Sequence, residues 1–352
     1  MTRALVLAAI LLALGACGRE GAETDGENVT FDIAAALDPC AEDAGPADRA
    51  LCGDEKLAAL DARIRSAMVR EAGEISEEGR RTIVENHQRW LRAQRTACGI
   101  IDADAAPTPD QAACLEAALT ERVRESERAV EREGPYTFQR MEMISAQAVT
   151  AEAAAASGMG EGAPTSITRD IRFPRIDDAS TPQAARFNDI VSRIPESRFE
   201  PGEEVQVDYQ IAFAGPDLIS VRFDSYSYAM GAAHPNNSTR AVTVVMTTGK
   251  PLEVGDVFRA GSGWEDFLTQ RAVRALTERF REENFTPPET DVRDSVAKPH
   301  LWLIKEEGLT LLFPPYSFGG PHVLGGAEVT IPWADLARYL NPNAPAPIRA
   351  PA

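Results

Sequence analysis

Five cysteines and four histidines are the side chains with most chemistry to offer in this 352-residue chain. Cys17 follows Leu14-Gly15-Ala16 and closes an apolar run from Ala4 that begins after the single charge of Arg3. A short basic start, an apolar stretch and small residues at the cut site predict a signal peptide, too short for a membrane span. The Leu-small-small-Cys ending is the pattern at which a bacterial lipoprotein is cut and its cysteine lipidated, so Cys17 is expected to become residue one. Four cysteines remain: Cys40, Cys52, Cys98 and Cys114. An even number in an exported chain argues for two disulfides, with three possible pairings. Cys40–Cys52 with Cys98–Cys114 is the pairing expected, because it closes two short loops beside helices; the other two stay open. There is no Cys-x-x-Cys and no His-x₃₋₅-His, which argues against zinc.

The histidines offer less. His234 sits in Gly231-Ala232-Ala233-His234-Pro235, after a segment carrying Tyr226 and Tyr228. Its companions in that half, His300 and His322, lack the helical spacing of a metal site, so His234 reads as a loop-fixing residue. His87 and Trp90 share an apolar helical stripe and read as core. No Gly-x-Ser-x-Gly elbow, phosphate loop or dinucleotide fingerprint occurs. No catalytic residue, metal or cofactor is therefore assigned, and an enzyme is not expected. The loop from Pro314 to Gly326 is richer: Tyr316, Phe318, Pro321 and His322 stand on a Gly/Pro scaffold, as interface hot spots are often built. A tight crossover between strands would explain the same Gly and Pro. Candidate partner-binding residues are Tyr226, Tyr228, His234, Tyr316, Phe318, Pro321 and His322.

These residues need elements to hold them. Residues 17–30, rich in Gly, Glu, Asp and Asn, read as a tether after a signal segment at 1–16. Over 31–133 the pattern is helical. Leu57, Leu60, Ile64 and Met68 recur at helical spacing, Ser76 is an N-cap, and Thr108-Pro109-Asp110-Gln111 is a capping box with Pro in the first turn. A third helix is predicted to run on through the charged stretch Arg122–Glu133. Gly134-Pro135 breaks it, and 134–164 holds a possible strand and an Ala/Gly-rich connection.

The period then changes to two. Val205, Val207, Tyr209, Ile211 and Phe213 alternate, and so do Ile219, Val221 and Phe223 across the turn at Gly215-Pro216. The apolar phase slips at Asp224-Ser225, which predicts a bulge before Tyr226 and Tyr228. Val242, Val244 and Met246 form another strand. Ser262-Gly263-Trp264-Glu265 reads as a second capping box, before a helix through Phe280. A hairpin spans Leu301–Phe313, a last strand Ala327–Ile331 and a closing helix Trp333–Leu340. The Pro/Ala-rich end, 341–352, is expected to be disordered. The fold class expected is therefore multi-domain: an all-α, disulfide-linked helical module over 31–133, then an α+β domain over 165–340 with a mainly antiparallel sheet.

Two resemblances add partners to this outline. Phe31-Asp32, Cys40, Leu51-Cys52, Asp54 to Asp61, Gln88 to Arg92, Arg95, Cys98 and Cys114-Leu115 resemble the LprI-type lysozyme-inhibitor module over about residues 30 to 130, although Ile33 stands where many members place the first cysteine. The second half is similar to the extracellular domain of RsiV-type anti-sigma factors and PdaC-type deacetylases. The carrying residues are Ser220–Tyr228, Gly231–Pro235, Thr248–Leu252, Asp256–Phe258, Gly308–Tyr316 and Val329–Trp333. In the RsiV branch that domain binds lysozyme. The deacetylase catalytic domain and a transmembrane anti-sigma segment have no counterpart in the sequence.

Charge agrees with such a partner. Lys plus Arg number 36 against 54 Asp plus Glu, for a net charge of −18, and the helical module is the most acidic part. That balance disfavours nucleic acid, which needs a basic face, and favours a basic protein. No apolar run reaches the ~20 residues of a membrane helix. The function expected is an exported, lipid-anchored envelope protein, facing the periplasm from the outer membrane in a Gram-negative host. It would bind and inhibit a lysozyme-like glycoside hydrolase, touching the membrane through its lipid alone. The alternative is a non-catalytic module binding peptidoglycan or another glycan, with Tyr226, Tyr228 and Tyr316 as stacking platforms.

Overall fold

The computed structural model describes residues 31–40, 51–101, 107–159, 162–193 and 202–349. The expected signal segment, Cys17 and the expected tether lie outside them. Among the described residues no helix is long and apolar enough to cross a membrane.

The first part is helical. A short α1 (Ile33–Ala36) is capped by Asp32, and α2 (Glu55–Glu71) by Asp54, whose carboxylates accept backbone N–H bonds of the first turn. Ser76 caps α3 (Glu77–Ala97), and Thr108 and Gln111 form the expected capping box at the start of α4 (Pro109–Ser126). Leu57, Ile64, Met68, Ile83, Trp90, Leu91, Leu115 and Leu119 meet in one core. Burial at these helical intervals, rather than propensity, holds helices of this length. Both expected disulfides are present. Cys40–Cys52 and Cys98–Cys114 have Cα separations of 6.0 and 5.7 Å, within the usual range.

The third helix stops short of its predicted end. Val130–Glu133 is a strand, β1, folded back through Gly134-Pro135 onto β2 (Tyr136–Ala148). Pairing decides it: Val130 to Glu133 lie opposite Gln139 to Tyr136 in a ladder that the charged sequence alone does not reveal. Gly134 has φ of +56°, and a Cβ there would fall 1.9 Å from the Ala214 carbonyl oxygen, so this turn admits only glycine.

β1 and β2 open a seven-stranded sheet. After the short α5 (Ala151–Ala156) come β3 (Ser166–Ile176), α6 (Pro182–Ser192), β4 (Glu203–Ala214), β5 (Leu218–Ala229), β6 (Asn236–Val245) and the two-residue β7 (Lys250–Pro251), in spatial order β1 to β7. Among the described residues every pairing is antiparallel except β3 with β4, whose connection carries α6, as a parallel crossover requires. Phe187 and Val191 of α6 are fully buried on the face that presents Val205, Val207, Ile219, Val221 and Phe223.

Two register expectations change. β5 pairs continuously with both neighbours, without a bulge at Asp224-Ser225. The phase changes there because the face with the large side chains changes: Tyr226 shares the other face of β5 with Arg222 and Asp224. The irregularity lies instead in β4, between Ile211 and Phe213. Such a bulge re-aims the side chain after it, and Phe213 turns to the opposite side, against a different core from Ile211.

The rest of the chain builds a second layer. α7 (Val254–Val257) leads to α8 (Trp264–Arg279), whose N-cap is Gly263 in left-handed backbone, not Ser262 as the capping-box pattern predicts. After α9 (Glu289–Val296), β8 (Trp302–Ile304), β9 (Gly308–Phe313) and β10 (Ala327–Pro332) form a three-stranded antiparallel sheet. α10 (Trp333–Leu336) is one turn, shorter than the predicted helix. The expected disorder at the C-terminus does not extend to residues 341–349: Ala344 and Ile348 are buried among Trp302, Leu336 and Leu340.

Candidate functional site

The second layer covers the even-numbered face of β5 only in part. Leu218 and Ser220 lie beneath it, and Ser220 Oγ accepts a hydrogen bond of 3.1 Å from the Ile304 amide. Beyond Arg222 the same face is open. The outcome is a cleft of about 800 Å³, floored by β4, β5 and β6 and walled by the segment from Phe313 to Glu328.

Register dictates the floor. Gln206, Tyr226 and Asn237 lie side by side on adjacent strands, and Asp208, Asp224 and Thr239 form the next row. Opposed residues of neighbouring strands hold their Cβ atoms about 5 Å apart, so each row is one surface. Arg222 follows and ties floor to wall: its Nε donates to Asp224 at 2.7 Å and its Nη1 donates to Glu328 of β10. Asp208 accepts from Arg140 at 3.0 Å. The three carboxylates therefore have guanidinium partners within the chain.

The wall explains the expected site residues one by one. Phe318 is fully buried, stacked 5.3 Å from Phe280 and edge-on to Phe285 and Phe313, so it anchors the loop instead of offering a surface. Two residues before it, Tyr316 is 55% exposed with φ of +70°. A left-handed conformation costs an L-residue roughly 1–2 kcal/mol, and a bulky aromatic seldom adopts it. Pro321 is exposed and starts the 3₁₀ turn His322–Leu324, where Val323 is 87% exposed.

The fold also joins residues that are remote in sequence. The rings of His234 and His322 stack with centroids 4.5 Å apart, and Tyr316 lies 5.5 Å from His322. His234 itself is exposed, its Nδ1 2.9 Å from the Pro235 carbonyl. Tyr228 donates its hydroxyl to the Ala232 carbonyl at 3.2 Å and so steadies the turn that carries His234. Of the seven expected residues, Tyr226 and His322 line the cleft, His234, Tyr316 and Pro321 border it, Tyr228 supports it, and Phe318 is core.

Sequence reasoning missed the polar floor. Gln206, Asp208, Arg222 and Asp224 alternate with the apolar residues used to find the strands, whereas Asn237 and Thr239 lie in the wholly polar run Asn236–Arg240. For the first four the signal was present, as polar side chains at period two, but only the second layer decides which stretch of that face stays open. A second, smaller cleft of about 370 Å³ lies on the other side of the loop, lined by Tyr316, Asp291 and His300, and shares Ser238, Thr239 and Pro314 with the first. Among the described residues no group of three or more His, Cys, Asp or Glu is arranged to hold a metal ion.

His87 and Trp90 lie far from this cleft, in the helical core, with rings 5.9 Å apart. Burial, aided by the charge of Arg122, lowers the His87 pKa to about 3, so its 3.9 Å approach to Asp61 is not an ion pair at neutral pH.

Known proteins supply a family for part of this architecture. Residues 255–334 match the family described as "Protein of unknown function (DUF3298)". No curated protein matches the chain. Among solved structures, a DUF3298 family protein from Pseudomonas aeruginosa PAO1 is similar at 15% identity and a TM-score of 0.42, over 60% of this chain and 98% of that one. A DUF3298 member from Bacteroides fragilis NCTC 9343 is similar at 12% identity and a TM-score of 0.39, over 60% of this chain and 96% of its own. The stretch from α7 through β10, which contributes the wall of the cleft, is the part of the chain that matches the DUF3298 family.

Proposed function

We propose that this chain is a binding protein of the bacterial envelope, held there through Cys17. Its loop from Pro314 to Gly326 would engage and restrain a basic, lysozyme-like, peptidoglycan-cleaving enzyme. The observation that carries this reading is Tyr316, an exposed aromatic fixed in left-handed backbone two residues from a fully buried Phe318. A ring so exposed adds little to the core, and strain retained at an exposed side chain points to binding. Val323, on the same loop, is the most exposed large apolar residue described. An exposed Tyr on a loop anchored by its neighbour meets a partner with little loss of side-chain freedom.

The nature of the partner rests on chemistry and resemblance. The chain carries a net charge of −18. Such a surface steers a basic protein toward it, raising encounter rates ~10- to 10³-fold at low salt. The resemblance of both halves to lysozyme-binding modules supplies the class. Titration of the purified protein against several classes of lysozyme, while cell-wall lysis is followed, tests it. Binding with slowed lysis is expected for at least one class. No binding and no slowing by any class removes the reading.

A further inference from the structure

We propose that the open cleft and its smaller neighbour form one groove for a neutral oligosaccharide, a site that shares Pro314 and Tyr316 with the protein-binding loop above but does not rest on that reading. The floor carries the argument. In the row Gln206–Tyr226–Asn237, an aromatic ring is flanked by two side-chain amides on adjacent strands. The ring offers an apolar face to the C–H side of a pyranose. The amides offer paired, uncharged donors and acceptors to its hydroxyls. Gln206 and Asn237 are exposed and Tyr226 half-buried, so the row is open to a ligand.

Charge selects among polar ligands. The cleft holds carboxylates, but Arg222 already bridges Asp224 and Glu328, and Arg140 holds Asp208. Arg279 in the larger cleft, and Arg240 and Lys298 against Asp291 and Asp294 in the smaller, complete the balance, so the groove has no excess charge to recruit a cation or an anion. What it retains is a set of fixed hydrogen-bonding groups, Thr239 among them, and these match vicinal hydroxyls. The volume of the larger cleft, about 800 Å³, is within the range of small-molecule sites.

The shared wall selects for length. Ser238, Thr239 and Pro314 belong to both clefts, so a chain leaving the first crosses Pro314 and enters the second beside the exposed ring of Tyr316. Two aromatic stations, Tyr226 in the larger cleft and Tyr316 lining the smaller, suit an oligomer rather than a single sugar.

Titration calorimetry of the purified protein tests this with chitobiose, chitotetraose and maltotetraose, and with spermidine and inorganic phosphate as charged probes. At least one tetrasaccharide is expected to bind, at least tenfold more tightly than a disaccharide. Gln206→Ala and Asn237→Ala, both at exposed positions, should each weaken it about tenfold without moving the melting temperature. Tyr316→Ala should weaken the tetrasaccharide and leave disaccharide affinity unchanged. Overturning results are absence of heat with both tetrasaccharides at millimolar concentration, tetrasaccharide binding untouched by both floor variants, equal affinity for di- and tetrasaccharide, or saturable binding of spermidine or phosphate alone. No lysozyme is present in this assay, so failure of the protein-binding reading leaves its outcome intact.

Discussion

Arg122 of α4 meets Glu142 of β2 in two hydrogen bonds of 2.9 and 2.7 Å, with both side chains withdrawn from solvent. The pair fastens the helical part to the sheet. Around it, Asn86 donates to the Arg140 carbonyl at 2.7 Å and accepts from the Glu142 amide at 3.2 Å, while Arg172 reaches Glu125 at 2.8 Å. Burial alone would raise the Glu142 carboxyl, but Arg122, with Arg172 and Arg140, outweighs it and holds the group below its usual range. Removing one partner strands a buried charge. Arg122→Met should cost about 3–5 kcal/mol in chemical denaturation at pH 7, and Arg122→Met with Glu142→Leu should recover most of it. A single variant within ~1 kcal/mol of the parent would show that the pair matters little to stability.

Acid should loosen the helical core before it reaches the carboxylates. The His87 pKa, lowered to about 3 by burial and then by Arg122, lies below its unfolded value near 6.5. Between those values the unfolded chain binds a proton that the folded chain refuses, so stability rises with pH across the window and is lost as pH falls through it. The slope contributed approaches about 1.4 kcal/mol per pH unit. Thermal melts of the parent and of His87→Gln should diverge in slope between pH 6 and pH 5, the variant being the flatter. Parallel curves would remove His87 as the cause.

Tyr316 should act on binding and not on folding. Its side chain is largely in solvent, with 55% of the residue exposed. Tyr316→Ala is therefore expected to leave the melting temperature nearly unchanged while raising the dissociation rate of a lysozyme-like partner about tenfold. The backbone there has φ of +70°. Glycine suits that conformation, so Tyr316→Gly should lose the same binding with stability held or raised. Salt should slow association, since the Debye length falls from about 10 Å at 0.1 M as ions are added, with less effect on dissociation. Loss of folding in both variants would place the ring in the core.

The two disulfides should both matter to the helical part. Non-reducing peptide mapping is expected to recover Cys40 with Cys52 and Cys98 with Cys114, and a Cys52–Cys98 peptide would contradict the structure. Replacing Cys98 and Cys114 together by Ser should cost ~2–4 kcal/mol.

Mass spectrometry of the mature N-terminus checks the anchor. A diacylglyceryl-modified Cys17 followed by Gly18 is expected, the neighbour favouring the outer membrane in a Gram-negative host. A cut elsewhere, or an unmodified Cys17, refutes it.

The amino-acid sequence by itself determined what depends on neighbours along the chain. Ser76 and Thr108 cap their helices because the donors they satisfy lie three residues on, and Ile219, Val221 and Phe223 share a face because strands alternate. Cys40–Cys52 and Cys98–Cys114 close short loops, so the sequence favoured their pairing, and the structure selects it from the three that were open. The tertiary structure decided what depends on residues far apart. Val130–Glu133 is a strand because β2 returns beside it, although its charged residues read as helix. Phe213 leaves the face of Ile211 because a bulge in β4 turns it, and Ile348 is buried because a core formed by α8 and β8 to β10 receives it. The candidate site divides the same way. Tyr316 and His322 stand out locally on their Gly/Pro loop, whereas Gln206, Asp224 and Asn237 form the floor of an open cleft only where the second layer stops. Local hydrogen bonding and periodicity act over a few residues and can be read in order; the edge of a packed layer is set by the whole chain.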